Sequence, residues 1–206
     1  MRQPTSSTER DAGDAVLRPG SVLVVCTGNV CRSPYVERRL RQDLADTGVE
    51  VTSAGSGALV DSPMEPHSRA LLEASGADGA SFRARQLSPH LVASADLVIA
   101  TARENRSAAA RLHSSALRTS LTLRDLADLL DGVTAADVAA RHATGSWVTQ
   151  VLKAALARRA VVPARQRDID ITDPFGQSFA AFQRMAAEVE PALRIVVPVL
   201  RGVRKA

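Results

Sequence analysis

The sequence predicts an α/β fold, a parallel β-sheet flanked by helices. Three observations point there. Ser21–Cys26 (SVLVVC) and Asp96–Thr101 (DLVIAT) are short, apolar, β-branched runs, the pattern of strands buried on both faces. Stretches of helical character separate such runs, and strands alternating with helices favour a parallel sheet. At 206 residues, 45% apolar and 23% charged, the chain is long enough to bury a substantial core.

Met1 to about Pro19 is polar and unpatterned and is expected to be a mobile tail, with order beginning at Ser21. Residues 20–206 are expected to form a single domain. After the first strand and a glycine-containing turn, Ser33 to about Thr47 reads as a helix with Pro34 in its first turn, where proline fits. Val49–Ala54 is the second strand, closed by Gly55 and Gly57. Pro66–Ala74 is a helix stopped by Gly76. The strand Asp96–Thr101 leads into a polar helix from Arg103 to about His113. A short strand near Arg118–Thr122 then runs into a helix through Leu130.

A segment at about 131–167 is read as a helical insertion. Within it Trp147, Val148, Val151, Leu152, Ala155 and Leu156 recur at helical spacing, which predicts an amphipathic helix over Ser146–Arg159. Two placements stay open. The helix extends the core on a remote face, or it docks beside the catalytic face, where Arg158, Arg159, Arg165 and Arg167 would gather anionic substrates. From Ser178 the chain is helical again, with Phe179, Phe182, Ala186 and Val189 on one side; Pro191 and Pro198 should kink or divide it.

Composition excludes several classes of function. Two cysteines, Cys26 and Cys31, cannot build a disulfide scaffold or a thiolate zinc site, and the four histidines show no metal-binding spacing. No metal and no cofactor is expected. No run approaches a membrane span, and the N-terminus lacks the apolar middle of a signal peptide, so the expected location is cytoplasmic and away from membranes. The net charge of +4 suits anionic substrates, while one Trp, one Tyr and four Phe are few for stacking bases; nucleic acid is not expected. No pattern specifies an oligomeric state.

The chemistry concentrates in Cys26-Thr27-Gly28-Asn29-Val30-Cys31-Arg32-Ser33-Pro34, between a buried strand and a helix. Loop amides and the helix dipole converge on an anion at such a place. Gly28 and Asn29 both tolerate left-handed backbone, so the amides from Thr27 to Arg32 can curl around a phosphate. Arg32 supplies a planar fork for two phosphate oxygens, and Cys26 at the centre is a candidate thiolate nucleophile. The Ser33 hydroxyl can donate to that sulfur. A leaving-group acid is also needed, and Asp173, in a loop before Pro174 and ahead of the last helix, is the best source; Asp-Pro in a loop is also an ordinary turn. Asp96, at the start of a strand, is read as structural.

These residues resemble the low-molecular-weight protein tyrosine phosphatases. The resemblance rests on Cys26–Pro34 and the late Asp173-Pro174-Phe175-Gly176. It extends to Ser53-Ala54-Gly55, Phe82–Leu87 and Ala95–Ile99, covers most of Ser21–Leu130 and resumes near Asp170. It implies four parallel strands, no metal, and two-step hydrolysis of a phosphorylated protein through a phosphocysteine. Cys26 would attack, Asp173 would act as acid and then base, and Arg32 would bind phosphate. Asn29 would brace the loop, Ser33 would tune the sulfur, and Cys31 would trap oxidised Cys26 as a disulfide.

Where family members often carry an aromatic wall and tyrosines, this chain has Ser56–Val60 and Phe175-Gly176. A protein-arginine phosphatase of the same family is therefore the alternative to a phosphotyrosine enzyme. Known arginine phosphatases resemble this chain in Asp-Pro-Phe-Gly but place threonine where Val30 stands. Thioredoxin-coupled arsenate reduction needs a third cysteine, which is missing. A non-catalytic phosphate-binding or redox-sensing module fits poorly with Cys26, Arg32, Ser33 and Asp173 all retained.

Overall fold

The structure, a computed structural model, describes residues 17–140 and 144–202. In the first strand, β1 (Ser21–Cys26), Val22 and Val24 enter one apolar cluster while Leu23 and Val25 enter another. Both faces are therefore buried, as an unbroken apolar run requires. The remaining strands are β2 (Glu50–Gly55), β3 (Leu97–Ala100) and β4 (Ser120–Thr122). All pairings are parallel, and the order across the sheet is β2-β1-β3-β4.

The connections supply the helices: α1 (Arg32–Asp43), α2 (Pro66–Ala74), α3 (Pro89–Ser94), α4 (Arg103–Leu112), α5 (Ala116–Thr119), α6 (Leu123–Leu130), α7 (Ala135–Ala139), α8 (Trp147–Ala157) and α9 (Phe179–Arg201). The larger cluster joins Val22, Val24, Leu97, Ile99 and Leu121 of the sheet to α1, α2, α6, α8 and α9. The smaller joins Leu23, Val25 and Val98 to Val92 of α3, Ala109 of α4 and Ala116 of α5. Because α1 leaves β1 toward one face and α4 leaves β3 toward the other, a crevice opens between the carboxyl ends of β1 and β3. Ligands of open α/β sheets bind at such a reversal.

Several expectations need correction. Helix α1 stops at Asp43 rather than near Thr47, because Thr47 folds back with its amide and hydroxyl on the Leu44 carbonyl (3.0 and 2.7 Å). The fourth strand is shorter than expected, since α5 takes up Ala116–Thr119. Helices α3 and α7 were not read from the sequence, although Ser88-Pro89 and the Thr134/Asp137 capping box mark their starts. Pro191 and Pro198 do not divide α9. Both face solvent, while Phe182, Met185, Val189, Val196 and Leu200 on the other side stay buried along the whole helix.

Residues 1–16 of the expected tail, and 141–143 of the expected insertion, lie outside the described residues. Order nevertheless begins before Ser21. The first amides of α8, on Trp147 and Val148, have no partner within their own helix, and they donate to the carbonyls of Arg18 and Pro19 (2.8 and 3.1 Å). Gly20 sits at φ 101° beneath them, and a Cβ there would meet Ser146 Oγ at 2.6 Å and Asp96 Oδ2 at 2.9 Å. Only glycine fits that crossing.

The amphipathic helix expected over Ser146–Arg159 is a core helix. Val148, Val151 and Leu152 are buried in the larger cluster, whereas Leu156, expected in the same stripe, is 36% exposed. Arg159 pairs with Asp125 (3.0 Å) and Arg165 with Asp128 (2.6 Å), so both are engaged on α6 rather than arrayed for substrate. Among the described residues no helix is long and apolar enough to cross a membrane.

Candidate active site

At the carboxyl end of β1 the chain turns through residues 27–31 and enters α1 at Arg32. Asn29 makes the turn. Its φ is 54°, a left-handed conformation that asparagine tolerates better than most residues, and its side chain is fully buried. The amide is saturated: Nδ2 donates to Ser33 Oγ (2.9 Å) and Ser53 Oγ (2.8 Å), and Oδ1 accepts from the Arg85 amide (2.9 Å). Gly28, expected to share the left-handed role, is not in that region. A Cβ there would make ordinary contacts with Val30 and Leu59 at 3.5 and 3.9 Å. The glycine in a tight place is Gly55, where a Cβ would strike the Thr27 carbonyl and press on Asn29 Cβ at 3.0 Å.

Two donors meet the Cys26 sulfur. Ser33 Oγ lies 2.9 Å away and the Asn29 amide 3.2 Å, and Cys26 is buried at the base of the loop. Ser33 thus accepts from Asn29 and donates to sulfur. Ser53 accepts from Asn29 and donates to the buried Glu37 carboxylate (2.5 Å), which pairs with Arg41 at 3.3 Å. The loop is held by a continuous chain of bonds in which each hydroxyl has one direction.

Arg32 is nearly enclosed, with 4% of its side chain exposed, yet it is only partly bonded. Nη2 donates to Asp173 Oδ2 (2.6 Å) and more loosely to Thr27 Oγ1 (3.4 Å), and Nη1 reaches the Ile171 carbonyl at 3.5 Å. Nε is buried with no partner among the described residues. A buried guanidinium N–H without an acceptor is costly, and an anion in the adjacent cavity would supply one. Thr27 Oγ1 also accepts from Asn105 Nδ2 (3.1 Å) and donates to Glu104 Oε1 (3.3 Å), tying the loop to the start of α4. Cys31 is the buried N-cap of α1. Burial first, then the negative charges around it at Cys26, Glu65 and Asp173, push its thiol up to about 12.

Together these residues line a cavity of about 170 Å³ bounded by Cys26, Thr27, Gly28, Val30, Cys31, Arg32, Gly57, Leu59, Asp173 and Phe175. That is below the roughly 300–1,000 Å³ of sites for drug-sized ligands and matches a compact anion with part of its attached group. Asp173 is 49% exposed and its Oδ1 accepts from the Phe175 amide (3.2 Å).

The expected site residues Cys26 to Ser33 run from the end of β1 through the loop into the first turn of α1, and Asp173 meets them across the cavity. Leu59 and Phe175, the apolar walls, come from the two stretches that stand where the family often carries aromatics, while sequence reasoning gave no role to Asn105 and Glu104. The last two were detectable in principle as polar residues just past the carboxyl end of an inner strand. Asp96 lies at the opposite end of the sheet. It accepts from Arg18, Ser21 and Thr149, which bears out its structural reading.

A sequence model described as low molecular weight phosphotyrosine protein phosphatase matches residues 21–139. Among relatives, the chain is 29% identical over 182 residues to a probable low molecular weight protein-tyrosine-phosphatase, EpsP, of Ralstonia nicotianae, covering 88% of this chain and 97% of that protein. It is 38% identical over 91 residues to the low molecular weight protein-tyrosine-phosphatase Etp of Escherichia coli K12, a match spanning 44% of this chain and 60% of Etp. Among solved structures, the tyrosine phosphatase Wzb of Escherichia coli K30 with sulphate superposes with a TM-score of 0.62 at 24% identity, covering 86% of this chain and 96% of Wzb. The YwlE arginine phosphatase of Geobacillus stearothermophilus gives 0.62 at 24% identity, covering 87% and 91%. These last two likenesses carry the fold.

Proposed function

The chain belongs to the low molecular weight phosphotyrosine protein phosphatases, and from that premise we propose that it hydrolyses phosphotyrosine-type esters on proteins through a phosphocysteine at Cys26. One observation carries the proposal. The Cys26 sulfur takes hydrogen bonds from Ser33 and Asn29 at the floor of a small cavity whose wall holds a buried, under-bonded Arg32 facing Asp173.

In the first step the phosphoryl group sits against Arg32 and the amides of Thr27 to Ser33. Its oxygens supply the acceptor that Nε lacks and displace Asp173 from Nη2. Cys26, as thiolate, attacks phosphorus in line with the leaving oxygen. As the phosphorus–oxygen bond breaks, Asp173 gives its proton to the leaving phenol. In the second step the Asp173 carboxylate takes a proton from water, the oxygen attacks the phosphocysteine, and inorganic phosphate leaves with the thiolate restored. Fixed donors around the phosphoryl oxygens hold the charge of both transition states.

Val30, apolar where arginine phosphatases place threonine, supports an aryl ester over phosphoarginine, and Leu59 adds a second apolar side against which a ring can lie, whereas Phe175 belongs to the Asp-Pro-Phe-Gly run shared with arginine phosphatases. Turnover of phosphotyrosine and phosphoarginine peptides, measured side by side with the Cys26→Ser variant, tests this. The parent should prefer phosphotyrosine. Cys26→Ser should lose activity by on the order of 10⁴-fold or more while still binding orthovanadate or phosphate. Substantial turnover by Cys26→Ser would sink the nucleophile, and a preference for phosphoarginine would move the substrate to the alternative.

The same loop supports redox control. Peroxide would convert Cys26 to a sulfenic acid, and attack by the Cys31 sulfur would expel water and leave a Cys26–Cys31 disulfide. With the Cys31 thiol pushed up to about 12 by burial, closure should be slow near neutrality and accelerate as pH rises. Disulfide formation at a pH-independent rate, followed by mass spectrometry, would contradict this.

A further inference from the structure

Asp173 is exposed, but the chain that carries it is held at every step. The amide of Ile171 donates to the Thr101 carbonyl just past β3 (2.8 Å). The Asp170 carboxylate accepts from the Arg103 amide (2.7 Å) and guanidinium (3.2 Å). Thr172, directly before Asp173, donates both its amide (2.7 Å) and its hydroxyl (2.8 Å) to the two oxygens of Glu188 on α9. Glu188 is braced by Arg124 of α6 at 3.5 Å, and the same guanidinium holds the Asp168 carbonyl at 2.6 Å. Glu188 is three-quarters buried and touches none of the cavity-lining residues through any of these bonds.

We infer that Glu188, backed by Arg124, is a positioning residue that fixes where Asp173 can deliver its proton. The inference rests on the reading of Asp173 as general acid. Both oxygens of one carboxylate are committed to two donors of Thr172, which fixes the Ile171–Thr172 peptide and the Thr172 side chain one residue ahead of the Cα from which the acid projects. Among the described residues, the only direct restraints on the Asp173 carboxylate are Arg32, which a phosphate would displace, and the Phe175 amide. Once substrate is bound, the acid depends on its backbone for aim. An error near an ångström in such aim costs on the order of 100-fold in rate.

The test compares kcat/KM, which reports the phosphorus–oxygen cleavage step, for phenyl phosphate and dinitrophenyl phosphate. Only the first has a leaving group poor enough to need the proton. Glu188→Ala should lower kcat/KM for phenyl phosphate by on the order of 10- to 100-fold and for dinitrophenyl phosphate by less than about twofold. Glu188→Gln, which keeps one acceptor for Thr172, should recover part of the loss. Inhibition by inorganic phosphate should stay within about twofold of the parent, because the cavity is intact. In an Asp173→Asn background, Glu188→Ala should add no further loss.

Equal losses on both substrates, or a Glu188 effect that multiplies with that of Asp173→Asn, would overturn the inference. If Asp173→Asn itself fails to separate the two substrates, the acid reading falls, and that outcome is visible without any Glu188 variant. Should Glu188→Ala not fold, Thr172→Val removes one of the two bonds. It should show the same separation at a several-fold size, and no separation there would equally overturn the inference.

Discussion

Two arginine–aspartate pairs stand at opposite ends of the same sheet, and they are built the opposite way round. At the carboxyl end, Arg32 is buried (4% exposed), its partner Asp173 is half exposed, and the arginine keeps an unbonded Nε among the described residues. At the amino end, Asp96 is the buried member (12%) and Arg18 the exposed one (63%). Asp96 also has the amide of Ser21 (2.9 Å) and the hydroxyl of Thr149 (3.1 Å) on its oxygens. Under the proposed function, the buried cation is a socket for anions, its partner giving way to phosphate. A buried anion with saturated oxygens is a latch, here joining the segment before β1, the start of β3 and α8. The chemistry of the pair is the same, and which partner is buried decides its use.

The largest effect should come from altering the socket. Arg32→Lys keeps the charge but loses the planar fork, and kcat/KM for an aryl phosphate should fall on the order of 10²- to 10³-fold. Retention of activity within about tenfold would mean that charge alone suffices and would erase one half of the contrast.

Ligand-linked stability sharpens the comparison next. Inorganic phosphate at a hundredfold excess over its Kd should stabilise the parent by about 2.7 kcal/mol in thermal denaturation. Arg32→Ala should abolish that gain and Arg18→Ala should leave it whole. A gain that survives without Arg32, or vanishes without Arg18, breaks the assignment of socket and latch.

The latch predicts a pH signature of its own. Burial works to raise the Asp96 pKa, but the bonds from Arg18, Ser21, Thr149 and Ser146 outweigh it and hold the carboxyl below the usual range. A depressed folded value means stability that is present above the unfolded value, near about 3.9, and lost as pH falls through the folded one. Asp96→Asn should therefore cost about 1–3 kcal/mol near neutrality, and its deficit should close in acid. Denaturant unfolding across pH would reveal it; a deficit constant with pH would remove Asp96 as the ionised centre. Smallest of all, Arg18→Ala should cost less than about 1 kcal/mol because its side chain is largely solvated, with turnover unchanged.

The sequence by itself determined the sheet, the loop and its chemical inventory. The reason is locality. A buried strand, a left-handed Asn29 and a helix beginning at Arg32 follow one another within residues 21–43, so spacing and residue type carry nearly all the information. Asp173 was legible as a residue type before proline but not as a fixed geometry. Its bond to Arg32 spans 141 positions, and the grip on Thr172 comes from α9 and α6. Likewise no local pattern says that α9 passes two prolines undivided, that Arg159 and Arg165 are spent on α6, or that α8 takes its first carbonyl acceptors from Arg18 and Pro19. Those outcomes depend on which faces meet when the helices pack. An apolar stripe states only that it will be buried; the tertiary structure chose its partner, because burial energy is non-directional and the hydrogen bonds and charges at each contact set the placement.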